Sequence, residues 1–244
     1  MIEKVKLNDI LFLDIETVPQ YSSYSEMPEN LQQLWNKKAE RLQPYGQEPL
    51  SAEDLYHRAG IYAEFGKIVC ISVGIVVNQH EIRLKSFWGE DEYELLIQFA
   101  SLIETRFNGP DHYLCAHNGK EFDFPYLCRR MLINGIRIPS LLNMAGKKPW
   151  EITHLDTMEL WKFGDYKNYT SLELLAAVFD IPTPKDDIDG SEVHRVYWQE
   201  KDLPRIVMYC QKDVVTIIQL FRRYLGMELI PEERIIAPDP TQDS

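Results

Sequence analysis

Asp14 and Glu16 close an apolar run, Ile10-Leu11-Phe12-Leu13-Asp14-Ile15-Glu16-Thr17. A run this dense in branched and aromatic residues reads as a buried strand. Side chains alternate faces along a strand, so both carboxylates point the same way, about 7 Å apart along the chain. Two acids at the end of a core strand are costly unless a cation sits between them, and a divalent metal ion is the simplest such cation.

Further acids follow in two other places. Asp123 lies in Asn118-Gly119-Lys120-Glu121-Phe122-Asp123-Phe124-Pro125, just past a strand end and at the start of a helix, where the helix dipole favours an anion. Tyr209 and Asp213, in Tyr209-Cys210-Gln211-Lys212-Asp213, are four apart on a long helix and project from one face. Each piece alone is weak. Asp123 also suits an ordinary helix N-terminus, and with 13 Tyr in the chain a Tyr-x3-Asp match arises about once by chance. Their order and setting carry the weight: a strand-end pair first, a strand-to-helix acid in the middle, a helical pair last.

The elements that must position them are legible from periodicity. Ile68 to Val77 is the strongest strand, and Asn78-Gln79-His80 turns it into a partner strand from Glu81 to Trp88, an antiparallel hairpin. Asp91 caps a helix to about Phe107 with Leu95, Leu96, Phe99, Leu102 and Ile103 on one face. Tyr113 to Ala116 is a short strand before a helix from about Asp123 to Asn134, and Ile152 to Leu155 reads as another strand. Thr170-Ser171-Leu172-Glu173 is a capping box opening a helix through Phe179, and a long helix spans about Leu203 to Leu225 with Pro204 in its first turn. Residues 25–64 form a polar, helical insertion with a weak apolar stripe of Leu31, Leu34 and Trp35, and the chain beyond Pro231 reads as loose. Strands early and helices later predict an α/β domain with a mixed sheet covered by helices.

At 244 residues and 45% hydrophobic, the chain can bury one full core. A formal charge of -12 argues against a protein that coats nucleic acid or an anionic membrane, yet an acidic site loaded with metal can still present a positive face to phosphate. Cys70, Cys115, Cys128 and Cys210 form no CxxC pair, so neither a zinc site nor a disulfide framework is expected. His112, His117, His154 and His194 lack metal-ligand spacing, which leaves core or surface roles for them. With no long apolar span and no charged-then-apolar leader, a cytoplasmic protein with no membrane association is the expectation.

Taken together, the acids resemble the DEDD superfamily of 3'-5' exonucleases, which share a ribonuclease-H-like fold. Asp14 and Glu16 match its first motif, Asn118 to Asp123 its second, and Tyr209 with Asp213 the tyrosine form of its third. The histidine form needs a His where this chain has Met208, so the resemblance is to the tyrosine branch. It is nearest to stand-alone exonucleases similar to the proofreading domain of family B DNA polymerases, and a chain of this length leaves no room for a polymerase.

The resemblance implies one exonuclease domain over residues 1–226, a tail over 227–244, and a mixed five- or six-stranded sheet flanked by helices. It assigns Asp14, Glu16, Asp123 and Asp213 as ligands of two divalent cations, Mg2+ or Mn2+, with Asp14 bridging them. Tyr209 would orient the attacking water. Thr17, Asn118 and Phe122 would contact the terminal nucleotide, although a turn residue and a core aromatic suit the last two equally. The implied reaction removes nucleoside 5'-monophosphates from the 3' end of single-stranded DNA. An exoribonuclease of the same branch and a non-catalytic nucleic-acid-binding domain are the alternatives, and the 25–64 insertion is a candidate surface for a protein partner. Lys147, Lys148 and Lys162 interleave with Trp150, Trp161, Tyr166 and Tyr169, a pattern that suits single strands or a surface loop. Asp156 reads as a supporting or structural acid.

Overall fold

In the computed structural model, the N-terminal apolar run becomes β1 (Ile10–Pro19), a strand buried along most of its length. The structure describes residues 5–43, 46, 48–165, 169–183 and 188–241. β1 pairs antiparallel with β2 (Gly66–Val77), which returns as β3 (Glu81–Trp88). Asn78 and Gln79 take φ of 49° and 63°, the left-handed pair that a tight hairpin requires. On its other side β1 runs parallel to β4 (Tyr113–Ala116), and β4 runs parallel to β5 (Leu155–Asp156). With β6 (Ile235–Ile236) added to β3, the six-stranded mixed sheet has the order β5-β4-β1-β2-β3-β6.

Seven α-helical segments are described: α1 (Glu29–Ala39), α2 (Glu92–Arg106), α3 (Asp123–Ile133), α4 (Thr157–Lys162), α5 (Leu172–Val178), α6 (Val193–Arg195) and α7 (Leu203–Tyr224). The alternation of β1 assigns them to faces. Leu11, Leu13 and Ile15 pack with Leu96, Phe99, Phe124 and Leu127 of α2 and α3. Ile10 and Phe12 point the other way, onto Val214, Ile217, Ile218 and Phe221 of α7. Each such side chain contributes roughly 1.5–3 kcal/mol on burial. Gly74 lets α7 approach β2 closely, because a Cβ there would meet side-chain atoms of Ile218, Leu84 and Val214 at 2.8 Å.

Two stretches differ from the sequence reading. Beyond Tyr224 the chain is docked: Gln219 exchanges two hydrogen bonds with the backbone of Ile230, and β6 extends the sheet. A two-residue strand carries no readable periodicity, which is why the sequence suggests a loose end there. The strand expected from Ile152 is confined to Leu155 and Asp156.

The 25–64 insertion holds α1 and a 3-10 turn at Tyr56–Ile61 around its own apolar cluster. Trp35 is fully buried there and donates its indole N–H to Ala52 O at 2.7 Å. Of the expected stripe, Leu31 is partly buried and Leu34 faces solvent. The insertion is tied to α3 by Tyr126 Oη donating to Gly60 O at 2.7 Å, and the residues just outside β1 and the insertion are joined by Gln20 N to Phe65 O at 2.9 Å.

Candidate active site

The even face of β1 changes from apolar to acidic where the strand outruns its parallel neighbour. Parallel pairing ends at Phe12 opposite Cys115, and β4 stops at Ala116. Asp14 and Glu16 therefore emerge where the neighbouring chain departs, past the carboxyl end of parallel β4, the place where open α/β sheets bind ligands. On the antiparallel side Asp14 faces Ser72 and Glu16 faces Cys70, and a bulge between Glu16 and Thr17 shifts the register before pairing resumes from Thr17 to Pro19.

The departing chain is held by backbone contacts. Asn118 sits at φ 63°, a left-handed conformation that Asn tolerates. Gly119 follows, and a Cβ there would collide with the Cβ of Ala116. The buried carboxylate of Asp156, at the end of β5, accepts the backbone N–H of Asn118 at 3.0 Å and of Lys120 at 3.1 Å. It also caps α4 through Met158 N and Glu159 N. His117 bridges Thr157 Oγ1 and Thr170 O, both at 2.9 Å. This turn delivers Asp123 as the first residue of α3, with its carboxylate buried and close enough to the Ile15 backbone N–H, between Asp14 and Glu16, to feel it.

α7 closes the site from the other side. Asp202 caps it by accepting Arg205 N at 3.2 Å, and Pro204 occupies its first turn, where no N–H is needed. One turn in, Tyr209, Cys210 and Asp213 face β1. The Tyr209 hydroxyl shares a hydrogen bond with the Asp213 carboxylate. The Cys210 thiol donates toward the carbonyl and the Oδ2 of Asp14, each 3.4 Å away.

The four carboxylates perturb one another. Burial, and then the charges of Glu16, Asp123 and Asp213, pushes the Asp14 carboxyl well above the usual carboxylate range. Burial and Asp213 do the same to Glu16. Burial raises Asp123 to about 7 against the two backbone N–H groups that favour its anion. Tyr209 is pushed up by burial and by the charges of Asp213, Glu16 and Asp14, so it stays protonated at neutral pH. Strongly raised carboxyl groups gathered at one point are the electrostatic mark of a candidate functional site.

All five residues expected to do chemistry, Asp14, Glu16, Asp123, Tyr209 and Asp213, thus meet at one point. Those expected to touch a nucleotide flank it. Thr17 lies just past the bulge, with its side chain near the Tyr126 hydroxyl. Phe122 is half-buried against the same tyrosine ring, 5.3 Å between centroids. Among the described residues, Asn118 Oδ1 is a buried acceptor without a hydrogen-bond partner.

The histidines take structural places: His154 Nδ1 accepts Leu114 N while its Nε2 meets Leu141 O, and His112 Nδ1 accepts Gly109 N. In the lysine-aromatic stretch Trp150 and Tyr169 are exposed, Trp161 packs on Phe179 and Tyr224, and Tyr166 lies outside the described residues. The sequence reading passes over Cys210, although it stands three residues before Asp213 and so on the same helical face.

Residues 61–233 match the sequence family described as a predicted 3'-5' exonuclease related to the exonuclease domain of PolB. The chain belongs to this family. The matched residues include Asp123, Tyr209 and Asp213, while Asp14 and Glu16 precede them and join the site through β1. A DNA polymerase of Pyrococcus glycovorans is 25% identical over 195 residues, 72% of this chain and 24% of that protein. The structure of the family B DNA polymerase from the archaeon Pyrobaculum calidifontis superposes with a TM-score of 0.54 at 16% identity, covering 89% of this chain and 24% of that one. The chain spans about a quarter of the length of these relatives, and the likeness fixes its fold as ribonuclease-H-like. Among the described residues no helix is long and apolar enough to cross a membrane.

Proposed function

We propose that this member of the family is a metal-dependent 3'-5' exonuclease of the tyrosine branch that releases nucleoside 5'-monophosphates from the 3' end of single-stranded DNA. The observation that carries the reading is the convergence of Asp14, Glu16, Asp123 and Asp213, the first three with proton affinities raised by burial and by their neighbours, with the Tyr209 hydroxyl on Asp213. Four carboxylates held this way fit two hard divalent ions, Mg2+ or Mn2+, whose preferred donors are oxygens. Asp14 would bridge the ions, Glu16 and Asp213 would complete one site, and Asp123 would support the other. Bound there, such ions would stabilise the attacking and leaving oxygens of an in-line displacement.

The chain's own groups do the rest. Tyr209, kept protonated, orients the attacking water and does not take its proton. Asn118 Oδ1 offers a free acceptor to a donor on the terminal nucleotide, such as its 3'-hydroxyl. Thr17 and Phe122 would border the same nucleotide. The net charge of -12 favours short, salt-sensitive contacts centred on the site over a long basic track. Residues 1–226 would be one catalytic unit with residues 227–244 as its tail, in a cytoplasmic protein, and the 25–64 insertion would offer a surface to a protein partner.

A 5'-labelled oligonucleotide incubated with Mg2+ or Mn2+ tests this. Stepwise shortening with release of 5'-monophosphates is expected, lost with chelator and in D14A and D213A. Matched DNA and RNA strands in competition assign the sugar. Undiminished shortening in either variant overturns the metal assignment.

A further inference from the structure

Cys210 brings a sulfur donor into the acidic cluster. Its Sγ stands 3.4 Å from Asp14 Oδ2, and one ligand atom from each of Asp14, Glu16 and Cys210 lies within 4.8 Å of the other two. A tetrahedral zinc ion with Zn–S of about 2.3 Å and Zn–O of about 2.0–2.2 Å holds sulfur and oxygen ligands about 3.5 Å apart. The observed pair already has this spacing, with the thiol proton between the two atoms. Cys70, which pairs with Glu16 across the strands, packs on the thiol together with Val207 and Trp88.

We propose that Asp14, Glu16 and Cys210 form a mixed carboxylate–thiolate site that takes a soft divalent ion, Zn2+ or Cd2+, in competition with the hard ions of the catalytic centre. The proposal rests on the metal-dependent reading above, because two of its three ligands are shared. On binding, the thiol gives its proton to solvent and a metal–sulfur bond replaces the S–H bond, with no change of oxidation state. Thiolate selects soft ions where carboxylates alone select hard ones. An ion seated on Cys210 occupies Asp14, the residue assigned to bridge the catalytic pair, so soft ions act as inhibitors of this nuclease.

The test is titration of reduced, metal-free protein with Cd2+, followed by thiolate-to-cadmium charge-transfer absorption and by calorimetry. The intact chain is expected to develop the band with one equivalent, and excess Mn2+ to suppress it. C210S and D14N are each expected to lose the band and to weaken Cd2+ binding by more than about tenfold, the least that even an outer-shell partner is worth. A band of undiminished size in both variants, or one indifferent to Mn2+, overturns the proposal. Competition by Mn2+ in the intact chain decides the matter even if C210S fails to fold. Mn2+ binding is read separately by electron paramagnetic resonance. Protein that binds Mn2+ but gives no cadmium band overturns the soft-ion site alone. Protein that binds neither overturns the metal-dependent reading itself.

Discussion

Asp156 Oδ1 accepts the backbone N–H of Asn118 at 3.0 Å, which ties the end of β5 to the turn that delivers Asp123. The same carboxylate takes Lys120 N, Met158 N and Glu159 N, so one buried side chain fixes a turn and caps a helix. D156A strands four amides at once. It is expected to cost roughly 2–4 kcal/mol, combining a lost cap with unsatisfied buried donors. D156N keeps one oxygen and leaves Lys120 N as the main loss, so it is expected to fold with a smaller penalty and a reduced turnover rate. Chemical denaturation of both variants checks the order. Equal stability of D156A and the parent chain would show that the clamp is dispensable.

The carboxylate cluster makes metal-free stability depend on pH in an unusual direction. A carboxyl raised by the fold binds its proton more tightly folded than unfolded, so stability falls as pH rises from about 4 through about 7, where Asp123 titrates. Metal-free protein is therefore expected to melt at a higher temperature at pH 5.5 than at pH 8. Mn2+ should stabilise it far more at pH 8, where protons compete less for the carboxylates, than at pH 5.5. D14N removes one charge and is expected to stabilise the metal-free fold by roughly 0.5–2 kcal/mol while abolishing activity. Melting curves with chelator and with Mn2+ decide this, and a metal-free melting temperature that rises with pH contradicts the electrostatics.

α3 is anchored away from the site by a buried ion pair. Arg130 donates to Glu92 through Nε at 2.8 Å and Nη2 at 2.5 Å, and its Nη1 reaches Ala63 O at 2.8 Å. Glu92 also accepts Ile68 N, so α2, α3, β2 and the insertion meet at one ion pair. E92A leaves a buried guanidinium unpaired and is expected to cost about 3–5 kcal/mol. Replacing both partners, as Glu92→Met with Arg130→Leu, removes the orphaned charge and is expected to recover much of that loss. Denaturation midpoints of the single and double variants test it, and additive losses in the double variant would argue against the pair.

Much of this arrangement was legible in the chain, for reasons tied to particular residues. Asp14 and Glu16 stand out because acids interrupt an apolar strand, and Asp91, Ser171 and Pro204 mark helix starts by local chemistry. What escaped depends on distant partners. Asp156 reads as a supporting acid, but the amides it holds are not readable, because Asn118 and Lys120 approach it from 38 and 36 residues away. Cys210 gains meaning only against Asp14, 196 residues earlier. β6 is two residues long and exists because β3 has a free edge to receive it.

Tyr209 separates two accounts of how the attacking water is handled. Burial and the charges of Asp213, Glu16 and Asp14 hold its hydroxyl protonated, and that hydroxyl is bonded to Asp213. A phenol so placed can orient a water through its hydrogen bonds but is a poor base near neutral pH. Y209F keeps the ring and every carboxylate, so Mn2+ affinity is expected to stay within a few-fold of the parent chain. Loss of the oriented water should lower kcat by about 100-fold, the penalty typical of a misplaced reacting group. The pH–rate profile of Y209F should keep the shape of the parent profile at lower amplitude, because the phenol does not titrate in the working range. If instead a limb of the parent profile vanishes in Y209F, the tyrosine takes the proton and its role is that of a base.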